Sequence, residues 1–425
     1  MSDQPLKRVL IITYYWPPSG GSGVQRWTKF AKYLPANGWQ PVVYTPENPE
    51  YPSIDESLLR DIPEECEVIK TPITEPYTLY KRFVGLKKDD RIQTGFLSDK
   101  EKPGVLERVS RWVRGNFFIP DARKYWIRPS IKYLTKYLKE NPVDVIVSSG
   151  PPHSMHLIAK ALKKRTGIRW VADFRDPWTN IDFYEDLMLT RWADRKHHRL
   201  EKAVLDEADS VLVVGNQMKE EFLEISPEAE VAVIPNGFDP DDTEREAEIV
   251  LDPYFSIAHI GSFSPARNCE MLWEVLAEEL QKGAFEEEVK IKVVGSMDVS
   301  VRKSIDAHGL TDHLLEIPYL PHDEVIEEQK KSRLLLLVVN RTKNAKGIVT
   351  GKIFEYMSSG RPILAIGPTD GDLAHLLAQT GDVKVIDYED KEGIRKALHS
   401  HQAVKDPSAF TRQRLTEVLV KELKE

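Results

Sequence analysis

Short apolar runs alternate with helix-patterned stretches along the chain. The first run covers residues 9–13, and the stretch after it places Trp27, Ala31 and Leu34 at helical intervals of four and three. Strands that alternate with helices in this way indicate parallel α/β sheets. Further strands are predicted at residues 41–45, 143–148, 169–172, 210–214, 255–260, 289–294, 334–339 and 362–366.

The alternation is interrupted at residues 234–239, where turn-forming residues precede an acidic stretch. A chain of 425 residues is long for one domain and suits two. We therefore expect an α/β fold with two Rossmann-like, doubly wound parallel-sheet domains that face a cleft. The predicted boundaries are residues 1–237 for the first domain, 238–406 for the second, and 407–425 for a charged helix that can pack back on the first.

Composition and charge exclude several classes of protein. The net charge of −8 argues against a nucleic-acid-binding protein, because such proteins carry a dominant basic face. Two cysteines, Cys66 and Cys269, cannot form a disulfide framework, and no cluster of Cys and His suggests a metal site. The run at residues 9–13 is too short for a signal peptide, and no run reaches the ~18 apolar residues that span a membrane. We expect a cytoplasmic protein.

The segment at residues 80–128 differs from the rest of the chain. It contains thirteen Lys or Arg and six Asp or Glu, a net charge of about +7. Two interpretations stay open: peripheral contact with the anionic inner face of a membrane or with an anionic acceptor, or solvated helices that cover a sheet. The aromatic residues of the segment include Phe83, Phe96, Trp112, Phe117, Phe118, Tyr125 and Trp126.

The stretch at residues 347–362 carries the strongest signal for a binding site. A predicted strand leads into it, and Thr350 is a suitable N-cap for a helix that begins near Gly351. The first amides of a helix are unpaired and favour an anion, and Lys352 adds a positive charge there. Glu355 lies about one turn further on and can accept hydrogen bonds from both hydroxyls of a ribose. The alternative is a capped surface helix with a solvated Lys and Glu.

A second loop supports a phosphate site. Gly261 follows a predicted strand, and Ser264 with Pro265 forms a plausible N-cap and first turn. Arg267 then falls in the first turn of a helix, where a cation opposes the helix dipole unless an anion compensates it. The alternative is an ordinary surface arginine.

These motifs, in this order, resemble the retaining family 4 glycosyltransferases of the GT-B fold. In that family, loop amides hold the donor diphosphate and a Glu holds the ribose. Many relatives have a second Glu eight residues earlier, where this chain has Gly347, so recognition of the sugar ring must come from elsewhere. The donor-binding residues that the resemblance implies are Gly20, Gly21, Gly261, Arg267, Pro318, Tyr319, Leu320, Val349, Thr350, Gly351, Lys352 and Glu355.

Candidates for the acceptor side follow strands of the first domain, where ligands of parallel sheets gather. Asp173 and Asp176 flank Arg175, and either acid is a candidate for positioning the acceptor hydroxyl or receiving its proton. Arg175 is a candidate orienting group or phosphate contact, and His153 is a candidate polar group of the same cleft. A salt-bridge cluster and a structural histidine are the alternatives.

The resemblance implies transfer of a sugar from a nucleoside-diphosphate sugar, UDP rather than GDP, to a hydroxyl of a glycan or lipid-linked acceptor, with retention of configuration. Polysaccharide synthesis is the expected context. Arg267 and Lys352 would stabilise the leaving diphosphate, and we expect neither a cofactor nor a metal. The alternatives are a nucleotide-sugar epimerase of the same fold and a non-catalytic nucleotide-sugar binder. A dinucleotide-binding dehydrogenase is disfavoured because Gly21-Ser-Gly23 is followed by Val24-Gln25-Arg26, so Arg26 stands where that fingerprint has its third Gly.

Overall fold

A computed structural model describes residues 6–51, 53–75, 105–181, 184–242, 249–381 and 383–424. The chain divides into two compact units. The first unit comprises Met1–Pro235 and Leu415–Glu425, and the second comprises Asn236–Arg414. Among the described helices, none is long and apolar enough to cross a membrane.

A parallel sheet forms the centre of the first unit. Its strands are β1 (Lys7–Ile12), β2 (Trp39–Pro46), β3 (Glu67–Thr71), β4 (Val145–Gly150), β5 (Arg169–Phe174), β6 (Ser210–Val213) and β7 (Val231–Val233). Their spatial order is β3-β2-β1-β4-β5-β6-β7. The chain winds outward from β1 to β3 and then returns to β4, so the topological switch point lies between β1 and β4.

Helices cover both faces of this sheet, which explains why its strands are apolar on both sides. Along β1, Leu10 and Ile12 pack into one core, whereas Val9 and Ile11 pack into the other. This alternation is the two-residue period of a strand. The helices of this part of the chain are α1 (Ser22–Tyr33), α2 (Val105–Phe117), α3 (Lys124–Glu140), α4 (Ser154–Thr166), α5 (Arg191–Glu207) and α6 (Asn216–Ile225).

The second unit repeats the plan. Its strands are β8 (Phe255–Ile260), β9 (Val289–Val294), β10 (Leu314–Ile317), β11 (Leu334–Val338), β12 (Ile363–Ile366) and β13 (Val385–Ile386). They lie parallel in the order β10-β9-β8-β11-β12-β13, which places the switch point between β8 and β11. The predicted α/β fold with two doubly wound parallel sheets is confirmed.

The helices that follow along the chain cover the second sheet, except for the last one. That helix places Leu415, Leu419 and Leu423 in a core of the first unit. It begins at Arg412 and not at residue 407 as predicted, because Thr411 has an extended backbone that separates it from a short turn. The helices are α7 (Glu270–Gln281), α8 (Val299–Ala307), α9 (His322–Lys331), α10 (Lys352–Ser358), α11 (Asp372–Ala378), α12 (Lys391–Ser400) and α13 (Arg412–Lys424).

Candidate functional site

In the second unit, the loops that follow β8 and β11 leave the same edge of the sheet. The two strands are neighbours, and the chain winds away from them in opposite directions. Ligands of open parallel sheets bind at the carboxyl ends of the strands at such a switch point. The first loop carries Gly261 and Arg267, and the second leads through residues 348–351 to Lys352 at the start of α10. The sequence-predicted residues of these two loops therefore meet at one edge of the sheet.

Large buried side chains fix the orientation of α10. The backbone N–H of Ile260, at the end of β8, donates to the hydroxyl of Tyr356 at 3.1 Å and ties the helix to the strand. Lys352 and Glu355 lie outside this core and are partly buried. The residues of α10 in the core are Ile353, Phe354, Tyr356 and Met357.

The side chain of Lys352 lies against the loop that follows β8. Its Nζ is 3.3 Å from Nε2 of His259. Gly261 leaves space for the lysine, because a Cβ at this position would come within 2.9 Å of both Cε and Nζ of Lys352. Gly261 also has a φ of 100°, which residues with a side chain rarely adopt. The positive φ therefore favours glycine at this position, and the missing Cβ leaves room for the lysine side chain.

The charged form of Lys352 is disfavoured in this structure. Burial, and then the positive charge of Arg267, lower the pKa of the Lys352 ammonium group from 10.5 to about 7. The negative charge of Glu355 raises this pKa, but it is the smallest of the three contributions. A bound anion would counteract the repulsion between the two cations and restore the charge of the lysine. Two basic side chains held this close together can bind a phosphate group.

Hydrogen bonds to two other residues help to hold Arg267 in place. Its Nε donates to Oδ1 of Asn340 at 2.8 Å, and its Nη1 donates to the carbonyl oxygen of Ser262 at 2.6 Å. The prediction that Arg267 lies in the first turn of a helix is wrong. It ends a short 3-10 turn, and the extended backbone of Asn268 separates it from α7. The loop, and not a helix terminus, places this cation beside Lys352.

The start of α10 also differs from the prediction. The hydroxyl of Thr350 makes no capping hydrogen bond, although the backbone of the following Gly351 is already helical, with φ −57° and ψ −28°. The carbonyl of Thr350 accepts from the N–H of Ile353 at 3.2 Å. The hydroxyl Oγ1 of Thr350 is buried and has no hydrogen-bond partner among the described residues.

Glu355 lies one turn further along α10 than Lys352. Its Oε2 accepts a hydrogen bond from Nε2 of the buried Gln329 at 2.9 Å. Residues 318–320, which the resemblance includes among the donor-binding residues, follow β10 in the same sheet, and Tyr319 is 77% exposed. The second unit thus combines two cations, a carboxylate and an exposed aromatic ring after strands of one sheet.

His259 contacts the site, although no motif of the sequence predicts it. The residue is 1% exposed, and its ring stacks on Phe263 at 4.1 Å between centroids. Burial and then the charge of Lys352 keep the pKa of His259 well below 6.5, so the imidazole is neutral. The signal in the sequence is a polar residue in the otherwise apolar end of β8, just before Gly261.

In the first unit, Arg175 connects the loops on either side of the switch point between β1 and β4. Its Nη1 and Nη2 donate to the carbonyl oxygens of Gly23 and Pro151. Its guanidinium carbon lies 5.7 Å from the centre of the Tyr15 ring. These contacts give Arg175 a role in positioning the two loops.

Asp173 is fully buried, and both of its carboxylate oxygens have partners. Arg26 donates to Oδ1 through Nε at 3.0 Å and Nη2 at 2.8 Å. Oδ2 accepts from Trp27 Nε1 at 2.7 Å and from Ser149 Oγ at 2.8 Å. Burial opposes ionisation, but the charge of Arg26 and these hydrogen bonds hold the pKa of Asp173 below its ordinary value. The contacts favour the structural salt-bridge interpretation for Asp173, whereas Asp176 is exposed.

The other first-unit candidates lie in the loops after β1 and β4. His153 is buried, and its ring stacks on Trp178 at 4.5 Å between centroids. Gly20 is also buried, and a Cβ there would lie 2.6 Å from Oγ of Ser53. Gly21 has a φ of 95° and immediately precedes α1. The switch point of the first unit is therefore closely packed around Gly20 and His153.

Acid should destabilise the first unit through its buried histidines. Burial lowers the pKa of His156 to about 3, and its Nδ1 contacts Ser148 Oγ at 2.8 Å. The unfolded chain binds a proton at this histidine below pH ~6.5 while the folded chain does not, so stability is complete above that pH and falls below it. Between pH 7 and pH 5, this histidine should lower the free energy of unfolding by about 2 kcal/mol, and His156→Asn should abolish that decrease. Urea unfolding at both pH values measures the difference. Equal losses in the variant and the wild type would contradict this.

The chain is similar in fold to solved glycosyltransferases. An α,α-trehalose-phosphate synthase (UDP-forming) from Burkholderia vietnamiensis matches with a TM-score of 0.60 and 11% identity, over 99% of this chain and 98% of that one. A sucrose-phosphate synthase from Thermosynechococcus elongatus matches with a TM-score of 0.58 and 14% identity, over 98% and 94%. WaaG, a glycosyltransferase involved in lipopolysaccharide biosynthesis, matches with a TM-score of 0.52 and 17% identity, over 96% and 93%. At these identities the likeness shows the shared GT-B fold.

The sequence itself identifies the family. No curated protein matches the chain significantly. The family model for glycosyltransferase family 4 matches residues 21–242, slightly more than half of the 425 residues. This match lies almost entirely in the first unit. In the second unit, the stretch at residues 347–362 carries the resemblance, and it lies at the switch point of the second sheet. The chain belongs to glycosyltransferase family 4, and it is a glycosyltransferase enzyme with the GT-B fold.

Proposed function

We propose that the enzyme transfers a sugar from a nucleoside-diphosphate sugar to a hydroxyl of a glycan or lipid-linked acceptor, with retention of configuration. The observation that carries this proposal is the pair of cations, Arg267 and Lys352, beside Gly261 at the switch point of the second unit. We propose UDP rather than GDP as the nucleotide, supported by the UDP-forming synthase of similar fold. Retention is supported by the family resemblance.

The two cations would act on the leaving group. As the bond between the anomeric carbon and the diphosphate oxygen breaks, negative charge develops on the diphosphate, and Arg267 and Lys352 stabilise it electrostatically. The departing phosphate accepts the proton of the acceptor hydroxyl, so the proposal needs no protein nucleophile. Because two fixed cations neutralise the leaving group, we also propose that transfer is independent of a metal ion. Asp176, which is exposed, is then the acidic candidate left for orienting the acceptor.

Recognition of the sugar and the acceptor involves residues outside this cation pair. Gly347 ends a short 3-10 turn and has no side chain for the hydroxyls of the transferred sugar. A lipid-linked acceptor is anchored in a membrane, so the enzyme has to reach it at the membrane surface. We propose that the protein contacts the membrane peripherally through the basic segment 80–128, of which residues 80–104 lie outside the described part of the chain.

A panel of nucleotide sugars tests the proposed function. Binding stabilises a folded protein in proportion to affinity, so UDP-sugars should raise the melting temperature more than GDP-sugars. The best donor is then incubated with candidate acceptors, with and without EDTA, and the anomeric configuration of the product is determined by NMR. A retained glycoside that forms equally in EDTA is expected. An epimer or free sugar formed without any acceptor, or binding without turnover, would contradict the proposal.

Donor binding should be coupled to proton uptake at Lys352. The pKa of this lysine is about 7 in the free protein, and a bound diphosphate should raise it. Affinity should therefore fall as the pH rises above 7, by up to about tenfold per unit. Calorimetry in buffers of different ionisation enthalpy should find uptake of about one proton at pH 8 and about a tenth of a proton at pH 6. Equal uptake at the two pH values would contradict this.

A further inference from the structure

Helix α2 exposes apolar side chains to solvent. Val109, Trp112, Val113 and Phe117 are 45%, 39%, 37% and 59% exposed. Their spacing of three, four and eight residues brings them close together along the helix. The ring of Phe117 contacts that of Trp112 edge to face, at 5.7 Å between centroids. Exposed apolar clusters of this kind mark interaction sites in soluble proteins.

The end of α2 is fixed to the rest of the first unit. Asn116 is 6% exposed, its Oδ1 accepts from the N–H of Thr190 at 2.7 Å, and its Nδ2 donates to the carbonyl of Met188 at 3.3 Å. Gly115 packs so closely that a Cβ there would lie 2.7 Å from the side chain of Leu189. The exposed side chains therefore belong to an anchored helix, and their positions are set by the fold.

A groove borders these side chains. It has a volume of about 280 Å³ and is lined by Arg108, Val109, Trp112 and Met188. Among these four residues only Arg108, which is exposed, is charged. A groove of this composition accommodates hydrocarbon, and a guanidinium can bind a phosphate group.

Further aromatic residues beside α2 are paired with lysines. Trp192 is 59% exposed, and Nζ of Lys196 lies 4.8 Å from its ring centre. Tyr125 is 53% exposed, and Nζ of Lys124 lies 5.0 Å from its ring centre. The same Lys124 donates to the carbonyl of Phe117, which places this pair next to the end of α2. Aromatic and basic side chains together are characteristic of protein surfaces at the membrane interface.

The charge of the segment identifies the kind of surface that it fits. The protein has a net charge of −8, and residues 80–128 contribute about +7, so the remaining residues carry about −15. An anionic surface attracts the segment and repels the rest of the chain, which orients the protein on that surface. An anionic lipid bilayer offers both this charge and an apolar interior for Trp112 and Phe117.

We infer that α2, with the neighbouring Trp192 and Tyr125, is a docking surface for anionic lipid bilayers. Val109, Trp112, Val113 and Phe117 enter the headgroup region, and Arg108 binds lipid phosphate groups. The inference deepens the proposed function and rests on it for the lipid-linked acceptor, which docking would bring within reach. It does not depend on any residue of the nucleotide-sugar site.

Vesicle sedimentation tests this surface on the full chain. Vesicles of phosphatidylcholine with 30% phosphatidylglycerol should pellet the wild-type protein, and vesicles of phosphatidylcholine alone should not. Salt at 0.5 M should release the pelleted protein, because it screens the lysines and arginines. Wild-type protein that stays in the supernatant, that pellets equally with both vesicles, or that resists salt overturns the inference. These outcomes need no substitution and so do not depend on the folding of a variant.

Variants then locate the surface. The double variant Trp112→Ser, Phe117→Ser should lower vesicle binding at least tenfold, and Arg108→Glu should lower it severalfold. Val250→Ser removes an apolar side chain that is 78% exposed in the second unit, and it should bind vesicles as the wild type does. All variants should keep the wild-type melting temperature and its shift with UDP. Undiminished vesicle binding by the double variant overturns the assignment to α2. A wild-type melting temperature that UDP does not raise would instead contradict the proposed function.

Discussion

Replacement of Lys352 with Met should lower the rate of glycosyl transfer at least about a hundredfold while the fold stays intact. The substitution removes a positive charge that we propose to face the leaving diphosphate, and loss of one preorganised group of this kind costs about 10²–10³ in kcat. Met is unbranched and fills a similar space. Because burial and Arg267 disfavour the charged lysine, its removal should leave the melting temperature unchanged or raise it.

Rates at saturating donor and melting temperatures are measured on the same preparations. Lys396→Met is the matched control, since Lys396 is an exposed lysine of α12 in the same unit. The control should keep wild-type activity. A Lys352→Met enzyme with near wild-type kcat would contradict the role of this cation. Loss of activity together with a large fall in melting temperature would assign Lys352 to the fold and not to the reaction.

Replacement of Glu355 with Ala should weaken donor binding by about 1.5–3 kcal/mol, or roughly 10- to 150-fold. We propose that this carboxylate accepts hydrogen bonds from the two ribose hydroxyls, and a hydrogen bond to a charged group contributes an amount of this size. The wild type should bind UDP more tightly than 2′-deoxy-UDP. The variant should bind the two nucleotides with nearly equal affinity, because the partner of the 2′-hydroxyl is gone.

The contact between Glu355 and Gln329 provides the control for this prediction. Gln329 is 2% exposed and donates to the carboxylate at 2.9 Å, so Glu355→Ala also removes a buried hydrogen bond. Gln329→Met removes the same bond but keeps the carboxylate. It should retain the preference for UDP over 2′-deoxy-UDP. If Gln329→Met loses this preference as fully as Glu355→Ala does, the effect is structural and the ribose assignment fails.

The apolar runs of the sequence predicted the central strands well and missed the marginal ones. β8 and β9 have the predicted bounds, because each is a largely buried run in which four of six residues are apolar and which a glycine follows. β3, at one edge of the first sheet, reads Glu-Val-Ile-Lys-Thr, and only Ile69 in it is buried. β13, at an edge of the second sheet, has two residues. Edge strands are covered on fewer sides, so their sequences contain less of the pattern that identifies a strand.

The candidate site was predictable where it depends on the pattern of one helix. The alternation of buried and uncovered positions along α10 already separates Lys352 and Glu355 from the core. The contact between Lys352 and His259 joins residues 93 positions apart, and it depends on the packing of α10 against β8. The hydrogen bonds of Arg267 likewise depend on the fold of a loop and not on a local motif. Tertiary contacts of this kind have no periodic signal in the sequence.

The first unit shows the same limit for its acidic residues. Asp173 and Asp176 are equivalent in the sequence, since they flank the same arginine after one strand. In the structure, Asp173 is fully buried with Arg26 and Trp27 as partners, whereas Asp176 is exposed. The buried cation that distinguishes them lies 147 positions away in the chain. Only the fold assigns the two acids different environments.

The most direct test of the proposed nucleotide-sugar site compares UDP with uridine as ligands of the wild type and of Lys352→Met. Calorimetry measures the affinity for UDP, and NMR titration measures the weaker affinity for uridine. If Lys352 binds the diphosphate, the wild type should prefer UDP at least a hundredfold, and the variant should show this preference reduced at least tenfold, with unchanged affinity for uridine. An unchanged ratio of the two affinities in Lys352→Met would contradict the account.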